Sequence, residues 1–431
     1  MRFWASSAAA ATGGRLVGPD VEIDGVSFDS RSLQPGQLFV PIVADRDGHE
    51  FVTDALGGGA AAYFSSRPPQ GGTAIEVADT LQALMDLATD RRHRFVGPVI
   101  GITGSVGKTS TKDLASAALS ACRHTWANER SFNNEQGLPT TVLNAPPDTE
   151  VMVLEMGMRG LGEISRLCSI AQPHIGVVTR VAEAHSDLLG GIEGVAQAKA
   201  ELVQALPAAG FALLNADDVR VRRMASISDA SVLLFGESTD ADVRIDDVRL
   251  DEFARARFRL HTPWGSVDVS LAVSGRHMAL NAAAALACVG VVGGDIHAGA
   301  AALDVVGLTA MRMQIGHTAS GALVLDDSYN ANPTSMRAAI DALVDLSAHR
   351  RIAVLGLMAE ISDPQREHLD IAEYARGRGV HVIAVGTELY GIEPAADPVL
   401  AVGSLAGGDA VLVKGSRVVG LERVAAALLQ P

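Results

Sequence analysis

The chain has 431 residues and a formal net charge of −15, from 35 Lys and Arg against 50 Asp and Glu. Hydrophobic residues make up 48% and charged residues 20%, which excludes global disorder and allows two or three domains with large cores. So acidic a chain lacks the basic surface with which proteins bind nucleic acid, and no stretch is long and apolar enough to span a membrane. A phosphate-binding site must therefore gather its few cations locally.

The first segment, "MRFWASSAAAATGG", places Arg2 before an alanine-rich run. It lacks the leucine-rich centre of a secretory signal, so we expect it to belong to the folded chain. "VEIDGVSFDSRSLQPGQLFVPI" then predicts short strands broken by Pro and Gly turns, and "LQALMDLATDRRHRF" predicts an amphipathic helix. Three cysteines stand far apart without metal or disulfide spacing, which favours reduced thiols and a cytoplasmic protein.

From "PVIGITG" onward, short apolar runs alternate with helical stretches. "VMVLEMG", "HIGVVTRV" and "FALLNADD" are typical of parallel strands covered on both faces, and ligands bind at the carboxyl ends of such strands. A second alternating series starts near Arg312 with "ALVLDDSYNANP", "RIAVLGLMAE", "HVIAVGTELYG" and "AVLVKGSR". The pattern predicts an α/β protein of three domains, over residues 1–95, 96–310 and 311–431.

"GITGSVGKTSTKDLASAALS" predicts a phosphate-binding loop between a strand and a helix. Its spacing departs from the usual rule, which wants a glycine five places before Gly107, where Ile102 stands. The physical parts are nevertheless present: Gly104 and Gly107 free the turn, Lys108 can bridge phosphates, and the Thr109 hydroxyl can bind Mg²⁺. The alternative is a glycine-rich turn that carries Gly-Lys-Thr by chance.

Two polar residues follow buried strands and are candidates for metal binding. Glu155 lies at the carboxyl end of "VMVLEMG", where a carboxylate is well placed for Mg²⁺. A helix N-cap or a solvated turn is the alternative for Glu155. His185 follows "HIGVVTRV", and from the residues alone a structural histidine is the favoured interpretation.

Lys199 falls on the apolar stripe of a predicted helix, "EGVAQAKAELVQAL". A buried lysine is costly unless it is paired or neutral, so its position needs an explanation. The structural alternative is a side chain that snorkels at the edge of the stripe. The other members of the stripe are Val195, Ala198, Leu202 and Leu206.

Taken in order, the motifs resemble those of the Mur ligases, the ATP-dependent amide ligases of peptidoglycan synthesis. The resemblance covers nearly the whole chain. It implies a small α/β domain for a UDP-linked substrate, a central P-loop ATPase domain with a mostly parallel sheet, and a C-terminal Rossmann-like domain that closes over the site. The motifs are "TGSVGKTSTK", "NNEQGLPTTVLN", "VLEMGMRGLGEI", "LNADD", "GRHMALNAAAALA", "LDDSYNANP" and "LVKGSR".

The resemblance also implies roles for individual residues. Catalysis is assigned to Lys108, Glu155, His185 and Lys199, with Lys199 as a carbamate formed with CO₂. Two Mg²⁺ ions are assigned to Thr109, Glu155, His185 and Lys199. ATP is assigned to Gly104, Ser105, Gly107, Lys108, Thr109, Ser110, Asn281, Arg312 and Asp327, and the substrates to Ser30, Arg31, Asn133, Asn134, Tyr329, Asn330 and Asn332.

Some positions carry weaker support. The family usually has asparagine where this chain has Met278 and aspartate where it has Leu357, so contacts from those two side chains are not expected here. Asp29 and Arg31 in "DSR" fit a UDP-substrate turn, but an Asp–Arg pair in a turn is also an ordinary surface interaction.

The branch of the family that these motifs resemble uses UDP-N-acetylmuramoyl-tripeptide and D-alanyl-D-alanine as substrates. The resemblance therefore implies a cytoplasmic, monomeric amide ligase that works through an acyl phosphate. Two other functions stay open: a related ligase, such as a folylpolyglutamate synthase or a Mur-like ligase with another substrate, and a non-catalytic nucleotide-binding regulator. About a hundred residues precede the phosphate loop, which favours a UDP-substrate domain over a folate ligase.

Overall fold

The computed structural model describes residues 2–129, 131–183 and 189–430. Within these residues the chain forms three α/β units, each built around its own sheet, and the predicted α/β class is confirmed. No helix formed by these residues is both long and apolar enough to cross a membrane.

The first unit consists of short strands and three helices. They are β1 (Arg2–Trp4), α1 (Ala5–Ala11), β2 (Arg15–Val17), β3 (Glu22–Asp24), β4 (Val26–Ser27), β5 (Leu38–Phe39), a 3₁₀ turn (Gly48–Phe51), α2 (Val52–Gly57), β6 (Ala62–Ser65), β7 (Ala74–Glu76) and α3 (Thr80–His93). Five strands form a sheet in the order β2–β7–β6–β5–β4, in which only the β2–β7 pair is antiparallel. Strands β1 and β3 form a separate antiparallel ribbon. The alanine-rich run forms α1, whose Ala5, Ala8 and Ala9 lie in the core, so this segment is part of the fold.

The central unit begins with alternating strands and helices. They are β8 (Val99–Thr103), α4 (Lys108–Ser120), β9 (Thr125–Ala127), α5 (Gly137–Leu143), β10 (Val151–Glu155), α6 (Glu163–Ala171), β11 (Ile175–Val178), α7 (Ile192–Gln204), β12 (Phe211–Asn215), α8 (Val219–Arg223) and β13 (Ser231–Gly236). It continues with β14 (Val243–Leu250), β15 (Arg255–Thr262), β16 (Gly265–Ser274), α9 (Met278–Val291) and α10 (Ile296–Leu303).

These strands form one nine-stranded sheet in the order β16–β15–β14–β13–β12–β11–β8–β10–β9. Pairing is parallel from β9 to β14 and antiparallel from β14 to β16, an extension that the sequence did not predict. Strand β8 lies between β10 and β11, and all three are buried along their whole length. Their carboxyl ends therefore meet at one edge, where the chain reverses its direction across the sheet.

Small residues allow α4 and α9 to pack closely in the core of the central unit. Ala115 and Ala118 lie on α4, and α9 is buried continuously from Ala282 to Ala287. Alanine brings the two helix backbones together without a cavity, and this contact fixes the helix that begins at the phosphate loop.

The third unit also alternates strands and helices. Its elements are β17 (Gln314–His317), β18 (Leu323–Asp326), α11 (Pro333–Asp345), β19 (Arg350–Gly356), α12 (Pro364–Arg376), β20 (His381–Val385), α13 (Pro398–Val402), β21 (Asp409–Lys414), a 3₁₀ turn (Arg417–Val419) and α14 (Glu422–Leu429). The strands form one sheet in the order β17–β18–β21–β19–β20, antiparallel only at β17–β18. The sequence "DDSYNANP" lies at the carboxyl end of β18, where Pro333 begins α11.

The side chain of Asn144 contributes to the contact between the first unit and the central one. The amide of Asn144, just after α5, accepts from the backbone N–H of Val26 (2.7 Å) and donates to its carbonyl (3.0 Å). Phe28 packs on Phe132 nearby, with ring centroids 5.7 Å apart. The first unit therefore docks on the loop and helix that follow β9.

We predict that Leu286→Ala lowers the free energy of unfolding by about 2–5 kcal/mol, because it opens a cavity around the fully buried side chain of Leu286 on α9. Leu400→Ala is the matched control: Leu400 is 78% exposed, so the same change should cost less than about 0.5 kcal/mol. Chemical denaturation of both variants checks this, and an equal loss at both positions would contradict the assigned core.

Candidate functional site

The predicted phosphate loop joins the end of β8 at Thr103 to the start of α4 at Lys108. Its two glycines have backbone conformations that other residues rarely adopt, with φ of +151° at Gly104 and +88° at Gly107. A Cβ at Gly104 would overlap the hydroxyl of Thr179, and one at Gly107 would lie 2.7 Å from Oδ1 of Asn281. Glycine is therefore required at both positions.

The segment after β11 holds the loop in shape. Ser105 donates its backbone N–H to the carbonyl of Arg180 (2.7 Å) and its hydroxyl to the carbonyl of Ala182 (2.8 Å). Thr179 donates its hydroxyl to the carbonyl of Val106 (2.6 Å). The loop conformation thus depends on two strand ends rather than on its own glycines alone.

The polar side chains at the start of α4 are engaged within the protein. Lys108 Nζ donates to the carbonyl of Gly104 (2.8 Å), and desolvation lowers the pKa of Lys108 although the carboxylate of Glu155 opposes the shift. The hydroxyl of the buried Thr109 accepts from Nη2 of Arg312 in the third unit (3.2 Å). A phosphate–metal ligand would replace these contacts.

Glu155 lies at the end of β10 with a buried carboxylate, 1% exposed. Its Oε1 accepts from Nδ2 of Asn133 (2.7 Å), and its backbone N–H donates to Oδ1 of Asn128 (2.6 Å). Its Oε2 is buried and has no hydrogen-bond partner among the described residues. An unpaired buried carboxylate oxygen is costly, so this atom fits a cation as its partner.

Lys199 is buried on α7, on the stripe that the sequence predicted. Burial and the positive charge of Lys108 place the pKa of Lys199 well below the usual lysine value. A lowered pKa favours the uncharged amine, which is the form that reacts with CO₂.

His185 lies outside the described residues, so its predicted metal-binding role stays a prediction. Within residues 2–129, 131–183 and 189–430, no group of three or more His, Cys, Asp or Glu side chains is arranged to hold a metal ion. In the described part, the predicted metal ligands are therefore Glu155, the Thr109 hydroxyl and Lys199.

The third unit brings a buried ion pair to the phosphate loop. Lys414 Nζ contacts Oδ2 of Asp327 (2.5 Å) and donates to the carbonyl of Asn330 (2.8 Å). The guanidinium of Arg312 stacks on the ring of Tyr329 at 4.2 Å from its centroid. Burial lowers the pKa of Lys414 although Asp327 opposes the shift. No role was predicted for Lys414 from the sequence, although it lies in the family motif "LVKGSR".

Two of the predicted substrate residues cap helices. Oδ1 of Asn332 accepts from the backbone of Ser335 (2.9 Å), and Ser335 Oγ accepts from the backbone of Asn332 (3.0 Å), a capping box for α11. Oδ1 of Asn134 accepts from the backbone of Gly137 at the start of α5 (2.9 Å). The side-chain oxygens of Asn332 and Asn134 therefore accept hydrogen bonds from backbone N–H groups close by in the chain.

The first turn of α9 also borders the loop. Nδ2 of Asn281 contacts the sulfur of the buried Met278 at 3.5 Å. At this position, where the family usually has asparagine, the chain therefore presents a thioether sulfur to Asn281. Burial lowers the pKa of His277 to about 4, and this imidazole is neutral at physiological pH. Leu357, the other departure, accepts a backbone hydrogen bond from Ser416 (2.9 Å).

Two adjoining cavities separate the central and third units, and they share part of their lining around Gly107 and Asn281. The smaller, about 80 Å³, lies against Lys108, Ser110 and Asp327. The larger, about 650 Å³, has the size of a small-molecule site. Its lining includes four arginines that were not predicted from the sequence, Arg180, Arg276, Arg337 and Arg378.

The predicted UDP-substrate residues lie in the first unit, away from both cavity linings. Arg31 is exposed and donates to both carboxylate oxygens of Asp29 (2.9 and 2.7 Å), and these hydrogen bonds lower the pKa of Asp29. Ser30 lies between them in the same turn. The contact has the form of a surface ion pair, which by itself contributes little to stability.

Comparison with known proteins places the chain among enzymes. Residues 102–289 match the family described as Mur ligase middle domain, and residues 311–417 match the Mur ligase, glutamate ligase domain. A UDP-N-acetylmuramoyl-tripeptide–D-alanyl-D-alanine ligase of Mycobacterium bovis is 38% identical over 468 aligned residues, covering 94% of this chain and 92% of the relative.

Two crystal structures extend the similarity to the arrangement of the units. MurF from Acinetobacter baumannii has a TM-score of 0.90 at 28% identity, covering 100% of this chain and 99% of that one. MurF ligase from Thermotoga maritima, solved in complex with ADP, has a TM-score of 0.82 at 28% identity and covers 94% and 96% of the two chains.

We predict that Gly104→Ala weakens ADP binding at least about tenfold, a loss of about 1.4 kcal/mol. The added Cβ overlaps Thr179 and forces the loop away from its conformation. Gly36→Ala is the control, because Gly36 also has a positive φ (+89°) but has nothing within 4 Å of an added Cβ. Calorimetric titration with ADP should separate the two variants, and wild-type affinity in Gly104→Ala would show that the loop does not hold phosphate.

Proposed function

Because this chain belongs to the Mur ligase family, we propose that it is the ligase that uses ATP to join D-alanyl-D-alanine to UDP-N-acetylmuramoyl-tripeptide in peptidoglycan precursor synthesis. The observation that carries this proposal is the cavity between the phosphate loop and the "DDSYNANP" segment. It occurs in a chain that matches ligases of this name over most of its length.

The reaction consists of two displacements. First, an oxygen of the tripeptide's terminal carboxylate attacks the γ-phosphorus of ATP, the bond to the bridging oxygen breaks, and ADP leaves. Second, the amine nitrogen of D-alanyl-D-alanine attacks the acyl carbon, the acyl–oxygen bond breaks, and phosphate leaves with the amide formed. The amine gives up a proton to the surroundings in this step. The enzyme's task is to align charged groups and to neutralise them.

The phosphate loop supplies the central half of the ATP site. The glycines Gly104 and Gly107 leave backbone N–H groups free to approach phosphate at the start of α4. Lys108 turns from the Gly104 carbonyl to the phosphates, where its charge stabilises the transferring group. The other loop residues of the proposed site are Ser105, Thr109 and Ser110.

The third unit supplies the other half. Arg312 leaves Thr109 for a phosphate oxygen, and the buried Lys414–Asp327 pair fixes the strand end that carries Asn330. The larger cavity, which adjoins Asn281, is the place for the base and ribose. Closing the third unit over the loop excludes water, which would otherwise hydrolyse the acyl phosphate.

Glu155, with its unpaired Oε2, and the Thr109 hydroxyl fit a Mg²⁺ site, and His185 completes the proposed set. Mg²⁺ bound there would offset the negative charge of the phosphates and of the attacking carboxylate. Lys199 contributes an anion to the same region once its neutral amine adds CO₂, which forms an N–C bond and releases one proton. The negative charge of this carbamate is attracted to Lys108, whereas a protonated Lys199 would be repelled by it.

The first unit is the proposed site for the UDP part of the acyl substrate, with Ser30 and Arg31 in its turn and with Asn133, Asn134, Tyr329 and Asn332 on the peptide side. We place the reaction in the cytoplasm, where ATP is available and free thiols stay reduced. We propose that the enzyme works as a monomer.

We predict that Lys199→Ala lowers the ligation rate by about 10²-fold or more, because the carbamate anion is lost. Short carboxylates such as formate or acetate should restore part of the rate by replacing that anion. Gln204→Ala, an exposed change on the same helix, is the control and should keep wild-type turnover. ¹³C NMR after incubation with ¹³CO₂ should show a carbamate in the wild type and in Gln204→Ala, but not in Lys199→Ala. A structure of the active enzyme with an unmodified ammonium at Lys199 would contradict the assignment.

We predict that D-alanyl-D-alanine is the preferred amine when phosphate release and product mass are followed with ATP, Mg²⁺ and the UDP-tripeptide. D-Alanyl-D-lactate keeps the same amine and should react weakly. L-Alanyl-L-alanine should react about 10²-fold more slowly, because inverted stereochemistry misaligns the nucleophile.

The same panel, extended to L-glutamate and L-lysine, tests the other functions. Turnover of L-glutamate with a folate acceptor would assign the chain to the related ligases and keep the acyl-phosphate chemistry. Failure of every amine to release phosphate, in protein that binds ADP, would favour the nucleotide-binding regulator.

A further inference from the structure

A buried asparagine connects two elements that meet at Glu155. Asn128 follows β9 and is 2% exposed. Its Oδ1 accepts from the backbone N–H of Glu155 (2.6 Å), and its Nδ2 donates to the carbonyl of Phe132 (2.5 Å). One side chain therefore fixes the end of β10 and the loop that carries Asn133.

This loop in turn fixes the carboxylate. Nδ2 of Asn133 donates to Oε1 of Glu155 (2.7 Å), while the backbone carbonyl of Asn133 accepts from Gly157 (2.8 Å). The two carboxylate oxygens of Glu155 therefore differ. Oε1 accepts from the amide of Asn133, whereas Oε2 has no hydrogen-bond partner among the described residues. The carboxylate offers a cation one oxygen in a set orientation.

Asn128 is itself held from the phosphate-loop helix. Lys112, one turn after Lys108 on α4, is 3% exposed and donates to the backbone carbonyl of Asn128 (2.8 Å). It also pairs with Asp113 (2.8 Å), whose Oδ2 accepts from the backbone of Thr309 just before the third unit (2.7 Å). The helix that presents Lys108 and the strand that presents Glu155 are therefore linked through Asn128.

We propose that Asn128, held by Lys112, is a positioning residue that selects Oε2 of Glu155 as the single oxygen offered to the cation that accompanies the nucleotide. The inference rests on the proposed function, because it takes the nucleotide to arrive with a divalent cation. Residues that orient a metal ligand through hydrogen bonds typically change metal affinity by about 10–100-fold when removed.

The test measures Mn²⁺ binding in the presence of ADP, from the loss of the electron paramagnetic resonance signal of free Mn²⁺, so it needs neither peptide substrate nor turnover. In Asn128→Ala the dissociation constant for Mn²⁺ should rise about tenfold or more. The affinity for ADP, measured by calorimetry in EDTA, should stay within about twofold of the wild type. The reason is that the Asn128 side chain contacts the backbone of Glu155 and Phe132 and not the phosphate loop.

Asn144→Ala is the matched control. Asn144 also bridges a backbone N–H and a carbonyl, but those of Val26 in the first unit. It should lower thermal stability without changing the Mn²⁺ constant. Equal Mn²⁺ affinity in folded Asn128→Ala and Asn144→Ala would show that Asn128 is structural only and would overturn the proposal.

A double-mutant cycle with Asn133→Ala identifies the route of the effect. If Asn128 acts by placing Asn133 and Glu155, the double variant should lose less Mn²⁺ affinity than the two single losses combined. Strict additivity would overturn this route. Lys112→Met is the second variant if Asn128→Ala fails to fold; it should weaken Mn²⁺ binding in the same direction, and Lys112→Arg should restore it.

These outcomes are separate from those of the proposed function. A chain that uses another amine keeps its Mn²⁺–ADP site, so the amine panel can fail while Asn128 keeps its role. Conversely, if the enzyme shows the predicted specificity but its Asn128→Ala variant binds Mn²⁺ normally, only the positioning role of Asn128 is rejected.

Discussion

The structure depends on bringing buried and half-buried cations to a place where two units of an acidic chain meet. The net charge is −15, so a polyphosphate would be repelled by the protein as a whole unless positive groups dominate locally. Lys108, Arg312 and Lys414 line one small cavity, with Lys199 close enough to Lys108 for its pKa to respond to that charge. Burial strengthens the attraction of these groups for an anion because little water screens them.

The same burial makes the cations costly before the anion arrives, and each is accommodated differently. Lys414 pairs with Asp327, Arg312 stacks on Tyr329 and donates to Thr109, and Lys108 returns to a carbonyl of its own loop. Desolvation lowers the pKa of Lys199, which disfavours its charged form. Nucleotide binding is therefore an exchange of hydrogen bonds within a preformed site, rather than the ordering of free side chains, and this limits its entropic cost.

Whether a contact in this site could be predicted from the sequence depends on how far apart its two residues lie along the chain. Apolar runs such as "VMVLE" identified the buried parallel strands, and the residues at their carboxyl ends, Glu155 among them, were found because strand ends share an edge. The antiparallel strands β14 to β16 were missed, because charged residues interrupt the apolar positions of "VRIDDVRL". Lys414 was missed as a site residue since its partner Asp327 is 87 positions away. Asn128 could not be assigned either, because no motif marks a side chain whose partners are two backbone groups.

The contacts made at the start of the third unit couple it to the central unit. Met311 and Met313, on either side of Arg312, have positive φ of 63° and 49°, conformations that cost a residue other than glycine about 1–3 kcal/mol each. They hold Arg312 so that it reaches Thr109 on the other unit. One N–H of Arg312 cannot donate to Thr109 and to a phosphate oxygen at once, so the occupant of the loop decides which contact persists. Asp113 adds a second tie, because it accepts from Thr309 while pairing with Lys112, the residue that holds Asn128. A movement of the third unit must therefore act on the phosphate-loop helix and on the carboxylate of Glu155 through the same few hydrogen bonds.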